Sequence, residues 1–295
     1  MPTVDLPLGP IDHRVFGPDA PGTPTVVFVH GFLVNGSLWD PVAERLAALG
    51  VRSIVADWPL GAHHTAVPEG SELSPTSVAQ AVLDLLDALD LVDVVLVGSD
   101  TGGAICQLAL AGDRHRIGAL VLTNCDAFET FPPKFFIPLF VIARFRPAVW
   151  AVLQTTRPRL LRHSALAFGQ LLRRPRSGAL TRGWVQPALD DAAIRRDITR
   201  FARGVRRDEL VGAASWLRTF DRPTRLVWGA RDRHFTLRLA QRLADALPRA
   251  QLTEVEDATT FVSIDRPDAV VDAIVGVIAE LPGAQATGPF AHEAG

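Results

Sequence analysis

A chain of 295 residues, 48% of them hydrophobic and with a formal charge of −2, has room for one large packed domain, or for one carrying an inserted subdomain. The near-neutral charge gives no footprint for nucleic acid, two cysteines give no disulfide framework, and no uninterrupted apolar run is long enough to span a bilayer. The first residues, Met1-Pro2-Thr3-Val4-Asp5-Leu6, lack a basic region followed by an apolar core, so no signal peptide is expected and a cytoplasmic location is.

Weak alternation from Val4 to Phe16 predicts an opening hairpin. Thr25 to Val29 reads as a buried strand that ends in His30-Gly31-Phe32-Leu33. Leu38 to Leu49 has helical spacing, with Ser37 as the expected cap and Gly50 as the stop. Val51 to Ala56 is the next strand. A loop rich in Pro, Gly and His, from Trp58 to Pro75, leads to a helix over about 76–89. Val94 to Val97 is a strand, Gly103 to Ala111 a helix, and Ile117 to Leu122 a strand ending at Thr123-Asn124-Cys125-Asp126. From Phe131 to about Asp221 the chain is rich in Leu, Phe and Arg, with helical spacing and no clear strand. Strand–helix alternation then resumes with Pro223–Trp228, Leu237–Leu247, Gln251–Val255 and Pro267–Leu281. This order predicts an α/β fold: a mostly parallel central sheet flanked by helices, with an inserted helical cap. The expected divisions are core 1–126, cap 127–221, core 222–282 and a disordered tail 283–295.

The most informative stretch is Gly98-Ser99-Asp100-Thr101-Gly102, which leaves a β-branched run and enters a helix. It has the layout of a nucleophile elbow, Gly-x-nucleophile-x-Gly. The glycines place Asp100, not Ser99, at the centre. A carboxylate there attacks carbon by displacement and leaves an alkyl ester.

With His30-Gly31-Phe32 after an early strand and Trp228-Gly229-Ala230-Arg231-Asp232 after a late one, the elbow resembles the α/β-hydrolase superfamily over nearly the whole chain to about Leu281. The aspartate is similar to that of the branch holding haloalkane dehalogenases, fluoroacetate dehalogenases and epoxide hydrolases. The resemblance implies that the backbone N–H groups of Phe32 and Thr101 hold the Asp100 carboxylate. It also implies that Asp232 is the acid that orients a histidine, with Asp126 as competitor for that role. His30 is expected to stiffen its turn.

After the last strand this family carries a histidine. Here the segment reads Asp257-Ala258-Thr259-Thr260-Phe261, and Thr260 occupies the position. Threonine cannot take a proton near neutral pH, so an ester on Asp100 lacks the base that would activate water. Four readings stay open. His234, His63 or His64 substitutes; Asp100 is an acid or base in a lyase, isomerase or cyclase; the site binds a ligand without turnover; or Thr260 is an engineered residue. The dehalogenase tryptophan after the nucleophile is replaced by Thr101, and epoxide-binding tyrosines are absent, since the chain has no tyrosine. Trp150, Trp184, Trp216 or His163 is an alternative donor.

The apolar run Phe135 to Ile142 is expected to line a hydrophobic pocket together with His30, Phe32, Trp39, Asp126 and Trp184. The expected substrate is a hydrophobic small molecule with a carbon–halogen or epoxide bond. Arginines 157, 159, 162, 173, 174 and 176 read as a solvated face, with an anionic partner as the alternative. No metal, cofactor, nucleic-acid or membrane partner is expected; a homodimer is left open.

Overall fold

A computed structural model describes residues 1–19, 24–173 and 178–282. The tail 283–295, with Arg174 and Arg176, lies outside the described residues. The strands are β1 (Thr3–Leu6), β2 (Gly9–Phe16), β3 (Val26–Val29), β4 (Ser53–Ala56), β5 (Val94–Asp100), β6 (Ile117–Cys125), β7 (Thr224–Gly229) and β8 (Ala250–Val255). They form one sheet in the order β1-β2-β4-β3-β5-β6-β7-β8. β1 and β2 are the antiparallel hairpin and β2 pairs antiparallel with β4; every later pairing is parallel.

The unbroken apolar strand runs follow from burial on both faces. Val27 and Val29 of β3 and Leu96 of β5 enter one core layer, with α2 (Pro75–Ala88), α3 (Thr101–Ala109) and α10 (Leu237–Ala246). Val26, Phe28, Val95 and Val97 enter the other, with α1 (Asp40–Ala48), α11 (Val262–Asp265) and α12 (Pro267–Ile278). Successive side chains in a strand point to opposite faces, so one strand feeds both layers.

Two local expectations shift. Ser37 does not cap α1: Asn35 accepts its N–H and starts a short 3-10 turn, Gly36–Leu38, and Pro41 restarts the chain as α1. Proline has no N–H to satisfy and suits the first turn of a helix. The helix α2 begins at Pro75, where Ser74 and Ser77 exchange side-chain to backbone hydrogen bonds.

Between β6 and β7 lie α4 (Ile137–Ala143), α5 (Arg146–Thr155), α6 (Arg159–Arg162), α7 (Gly178–Asp190), α8 (Ala192–Gly204) and α9 (Glu209–Leu217), with no strand among the described residues. One buried carboxylate fastens this insertion to the loop before α2. Asp197 of α8 accepts the Val67 N–H at 2.8 Å and faces His63 Nε2 at 3.4 Å; its other oxygen accepts from Arg196 and Arg200, each at 3.1 Å. Burial alone would raise its pKa, but these donors outweigh it and hold the group below the usual carboxylate range.

Replacing Asp197 by Ala is expected to lower stability by about 3–5 kcal/mol, because two arginines then face a buried site without their anion. The parent's Asp197 contribution is present above the ordinary carboxylate pKa and fades as pH falls through the lowered one. Denaturant midpoints for parent and variant at pH 7 and at pH 3 measure both effects.

Candidate active site

The site starts from a steric demand. Asp100, the last residue of β5, sits at φ 55°, ψ −132°, and the sheet register slips between Gly98 and Asp100. A backbone in this region costs a non-glycine residue on the order of 1–3 kcal/mol. The strand must turn at once into α3, and glycine is what lets it. A Cβ on Gly102 would stand 2.3 Å from the Val29 carbonyl oxygen; one on Gly98 would stand 2.7 Å from Cys106 Sγ.

The turn lifts the Asp100 carboxyl over Gly31, where a Cβ would lie 2.1 Å from its Oδ2. The backbone N–H groups of Phe32 and of Thr101, the first residue of α3, lie close enough to this carboxyl to favour its anion. The helix N-terminus favours it too. Desolvation opposes them and is larger; with the nearby charge of Asp232 it pushes Asp100 up to about 7.

His30 sets the Gly31 turn. Its Nε2 accepts the Trp58 N–H at 2.9 Å, so Nδ1 carries the proton and donates to the Gly31 carbonyl at 2.9 Å. Burial pushes its pKa down to about 4, which keeps the ring neutral.

The ends of β6, β7 and β8 bring three more polar residues together. Asp126, one residue past β6, is 1% exposed. Neither of its carboxyl oxygens completes a hydrogen bond, and the Thr101 side chain gives only weak support. Burial, then the charge of Asp100, raises its pKa well above the usual range. Asp232 is saturated instead. Its Oδ1 accepts from the N–H groups of His234 (2.7 Å) and Phe235 (3.1 Å), and its Oδ2 from Asn124 Nδ2 (2.9 Å) and the Thr260 hydroxyl (2.7 Å). The threonine that stands where the resemblance implies a histidine thus makes the contact to the acid, but brings no base.

Asn124 was not singled out as functional. Besides Asp232, it grips the end of β7 by accepting the Gly229 N–H at 2.6 Å and donating to the Gly229 carbonyl at 3.1 Å. One amide near the end of an otherwise apolar strand, Ile117–Cys125, was the available signal.

The candidate substitute bases have other partners. His234 Nε2 meets Gln170 Oε1 at 2.8 Å, with its ring 4.9 Å from both Phe135 and Phe136; only its backbone N–H reaches Asp232. His63 faces Asp197, and His64 lies 3.2 Å from Asp57. The alternative cap donors are also placed elsewhere. Trp184, expected in the pocket, is packed between Phe168 and Phe261 and donates to Ser37 Oγ at 3.0 Å. Trp39, also expected there, is fully buried and stacks on Phe28 in the core layer of α1. Both are corrections with one cause: Trp39 at the start of α1 and Trp184 within α7 are large aromatic rings that gain more by filling the core than by lining a cavity. His163 contacts Thr181, while Trp150 and Trp216 are half exposed. Phe32 does face the insertion, stacking on Phe140 (4.9 Å) and Phe201 (5.4 Å).

A sequence model of the alpha/beta hydrolase family matches residues 26–273. The chain belongs to the alpha/beta hydrolase family. It is 26% identical over 241 residues to a 2-hydroxy-6-oxononadienedioate/2-hydroxy-6-oxononatrienedioate hydrolase of Paraburkholderia xenovorans, covering 78% of each chain. A non-heme chloroperoxidase, CPO-A1 of Kitasatospora aureofaciens, is 37% identical over 95 residues, 32% of this chain; the match spans about a third of that relative's length (33%). Among solved structures, an ancestral haloalkane dehalogenase superimposes with a TM-score of 0.76 at 18% identity, covering 97% of this chain and all of the other (100%), a likeness of fold.

Two predictions follow from these contacts. Asn124→Ala is expected to cost about 2–3 kcal/mol by leaving the Gly229 N–H unpaired and loosening Asp232, read as a lower denaturant midpoint. Asp100 binds its proton more tightly folded than unfolded, so parent stability should fall as pH rises from about 4 to 7. Asp100→Asn removes that loss: it should melt above the parent at pH 8, by a gain on the order of 1–3 kcal/mol, with the gap closing toward pH 4.

Proposed function

We propose that the protein is an enzyme that opens an epoxide on a hydrophobic small molecule, with Asp100 as nucleophile. The observation that carries this is the Asp100 carboxyl at a strained elbow, set against Gly31 where the N–H groups of Phe32 and Thr101 favour its anion. A carboxyl that only shuttles a proton needs no such pair. A carboxylate that becomes an ester does, because the donors stabilise the oxyanion when that ester is later attacked.

The step balances within the cluster. One Asp100 oxygen attacks an epoxide carbon; the carbon–oxygen bond breaks and its electron pair stays on the departing oxygen. Asp126, whose pKa burial and the charge of Asp100 raise well above the usual range, supplies the proton to that oxygen. This favours an epoxide over a carbon–halogen bond: an acid is at hand, and Thr101 stands where an indole would bind halide. The second half is handicapped. Hydrolysis of the ester needs a base on water, and the Asp232 partner is the Thr260 hydroxyl.

Incubation with a panel of aromatic and long-chain epoxides should therefore yield an adduct by intact-protein mass, mapping to Asp100 and absent from Asp100→Ala. Its rate of formation should rise with pH and level off above about 7, as the carboxyl ionises. No adduct and no diol across the panel would overturn the reading.

One observation favours a second reading, proton transfer by Asp100 in a lyase, isomerase or cyclase: the carboxyl's pKa is pushed up to about 7, and His30, His63, His64 and His234 hydrogen-bond elsewhere. Multiple turnovers in oxygen-18 water separate the two. Label enters the Asp100 carboxylate on the nucleophilic route and stays out of it in proton transfer.

A further inference from the structure

We propose that the outer face of the helical insertion docks on the surface of an anionic phospholipid bilayer. The inference does not depend on the reaction proposed above.

The first observation is where apolar surface is exposed. Of the fourteen exposed large hydrophobic side chains among the described residues, eight lie between Phe135 and Leu166: Phe135, Val141, Ile142, Phe145, Trp150, Leu160, Leu161 and Leu166. On α4 and α5 they alternate with buried residues at helical spacing. Phe140, Ala143, Val149 and Leu153 point inward; Val141, Ile142 and Trp150, with Phe145 at the junction, point out. The outward face is thus a continuation of an amphipathic pattern whose inner half is satisfied and whose outer half has no protein against it.

The second observation is charge. From Thr130 to Leu189 the sequence contains ten cations and no Asp or Glu, in a chain whose net charge is −2. Lys134, Arg144, Arg146, Arg157 and Arg159 are exposed among the apolar residues. Bulky apolar side chains, an exposed tryptophan and a basic rim are the composition that sits at an anionic headgroup boundary. A second copy of the chain fits poorly, since it would set two acid-free cationic faces against each other. An acidic soluble ligand would match the charge and leave the apolar side chains in water.

Geometry sets the mode as lying on the surface. No single helix among the described residues is long and apolar enough to cross a membrane, and the segments Lys134–Ala143 and Arg146–Thr155 meet at a bend of 119°. Seven residues of α4 and ten of α5 reach only about 10 and 15 Å. The expectation of no membrane partner rested on the absence of a spanning run, which does not bear on surface docking. The same helix α4 connects lipid to chemistry: Phe140 on its inner side stacks on Phe32, next to the Gly31 that meets the Asp100 carboxyl. A hydrophobic substrate dissolved in the bilayer would meet the insertion first.

Co-sedimentation of the full chain with sucrose-loaded vesicles tests this, comparing phosphatidylcholine alone with phosphatidylcholine carrying about 30% phosphatidylglycerol. Binding to the anionic vesicles should exceed binding to neutral ones by about tenfold or more and weaken sharply in about 0.5 M salt. The double variants Phe145→Ala/Trp150→Ala and Arg144→Ala/Arg146→Ala should each cut anionic binding about tenfold while keeping the parent's circular dichroism and melting temperature. Equal or absent binding to the two vesicle types would overturn the proposal, as would double variants that bind like the parent. A parent dimer in sedimentation velocity that Phe145→Ala/Trp150→Ala converts to monomer would assign the face to a second copy instead.

Discussion

The contact on which the site depends is the approach of the Asp100 carboxyl to the backbone at Gly31 and Phe32. It couples two strands, β5 carrying the carboxyl and β3 delivering the turn that receives it, and it tolerates no Cβ at residue 31. Everything near it serves that approach. His30 clamps the turn through both ring nitrogens, and Gly98 and Gly102 allow the strained elbow. The N-terminus of α3 adds a second N–H. The opposing force is desolvation, and it wins: it holds the carboxyl's pKa well above the usual carboxylate range.

A second constraint is local to the ends of β6 and β7. Asp232 is fixed by four donors, two from its own loop and two from Asn124 and Thr260. A buried carboxylate satisfied this fully is a structural anchor. Asp126 is the reverse, a buried carboxyl with no completed hydrogen bond, whose cheapest state is the protonated one. Two aspartates near Asp100 therefore sit in unlike surroundings: one is held by four donors, and burial raises the pKa of the other.

The insertion works with two faces. Inward, Phe140 and Phe201 bracket Phe32, and Asp197 ties α8 to the loop before α2. Outward, α4 and α5 expose apolar and cationic side chains together. The run Phe135 to Ile142 reads in sequence as lining an apolar pocket, packing on the sheet, or both. A helix cannot present successive residues to one side, so Phe140 went in while Val141 and Ile142 went out. The cationic bias of the segment was visible in composition, but whether arginines surround apolar surface or ordinary solvent depends on which helical face is buried.

Sequence alone determined the order of strands and helices along the chain and the α/β class of the fold. These are local properties: β-branched runs, glycine spacing and helical period are written into consecutive residues. It did not reach the assignment of partners. Trp39 and Trp184 were placed near substrate, but tertiary packing put them in the core. His63, His64 and His234 could each have been a base, and each was given a different neighbour. Asn124 gained its role only when β7 lay beside β6. Side chains distant in sequence compete for the same few buried donors, and that competition is resolved by the folded sheet and not by any stretch of the chain.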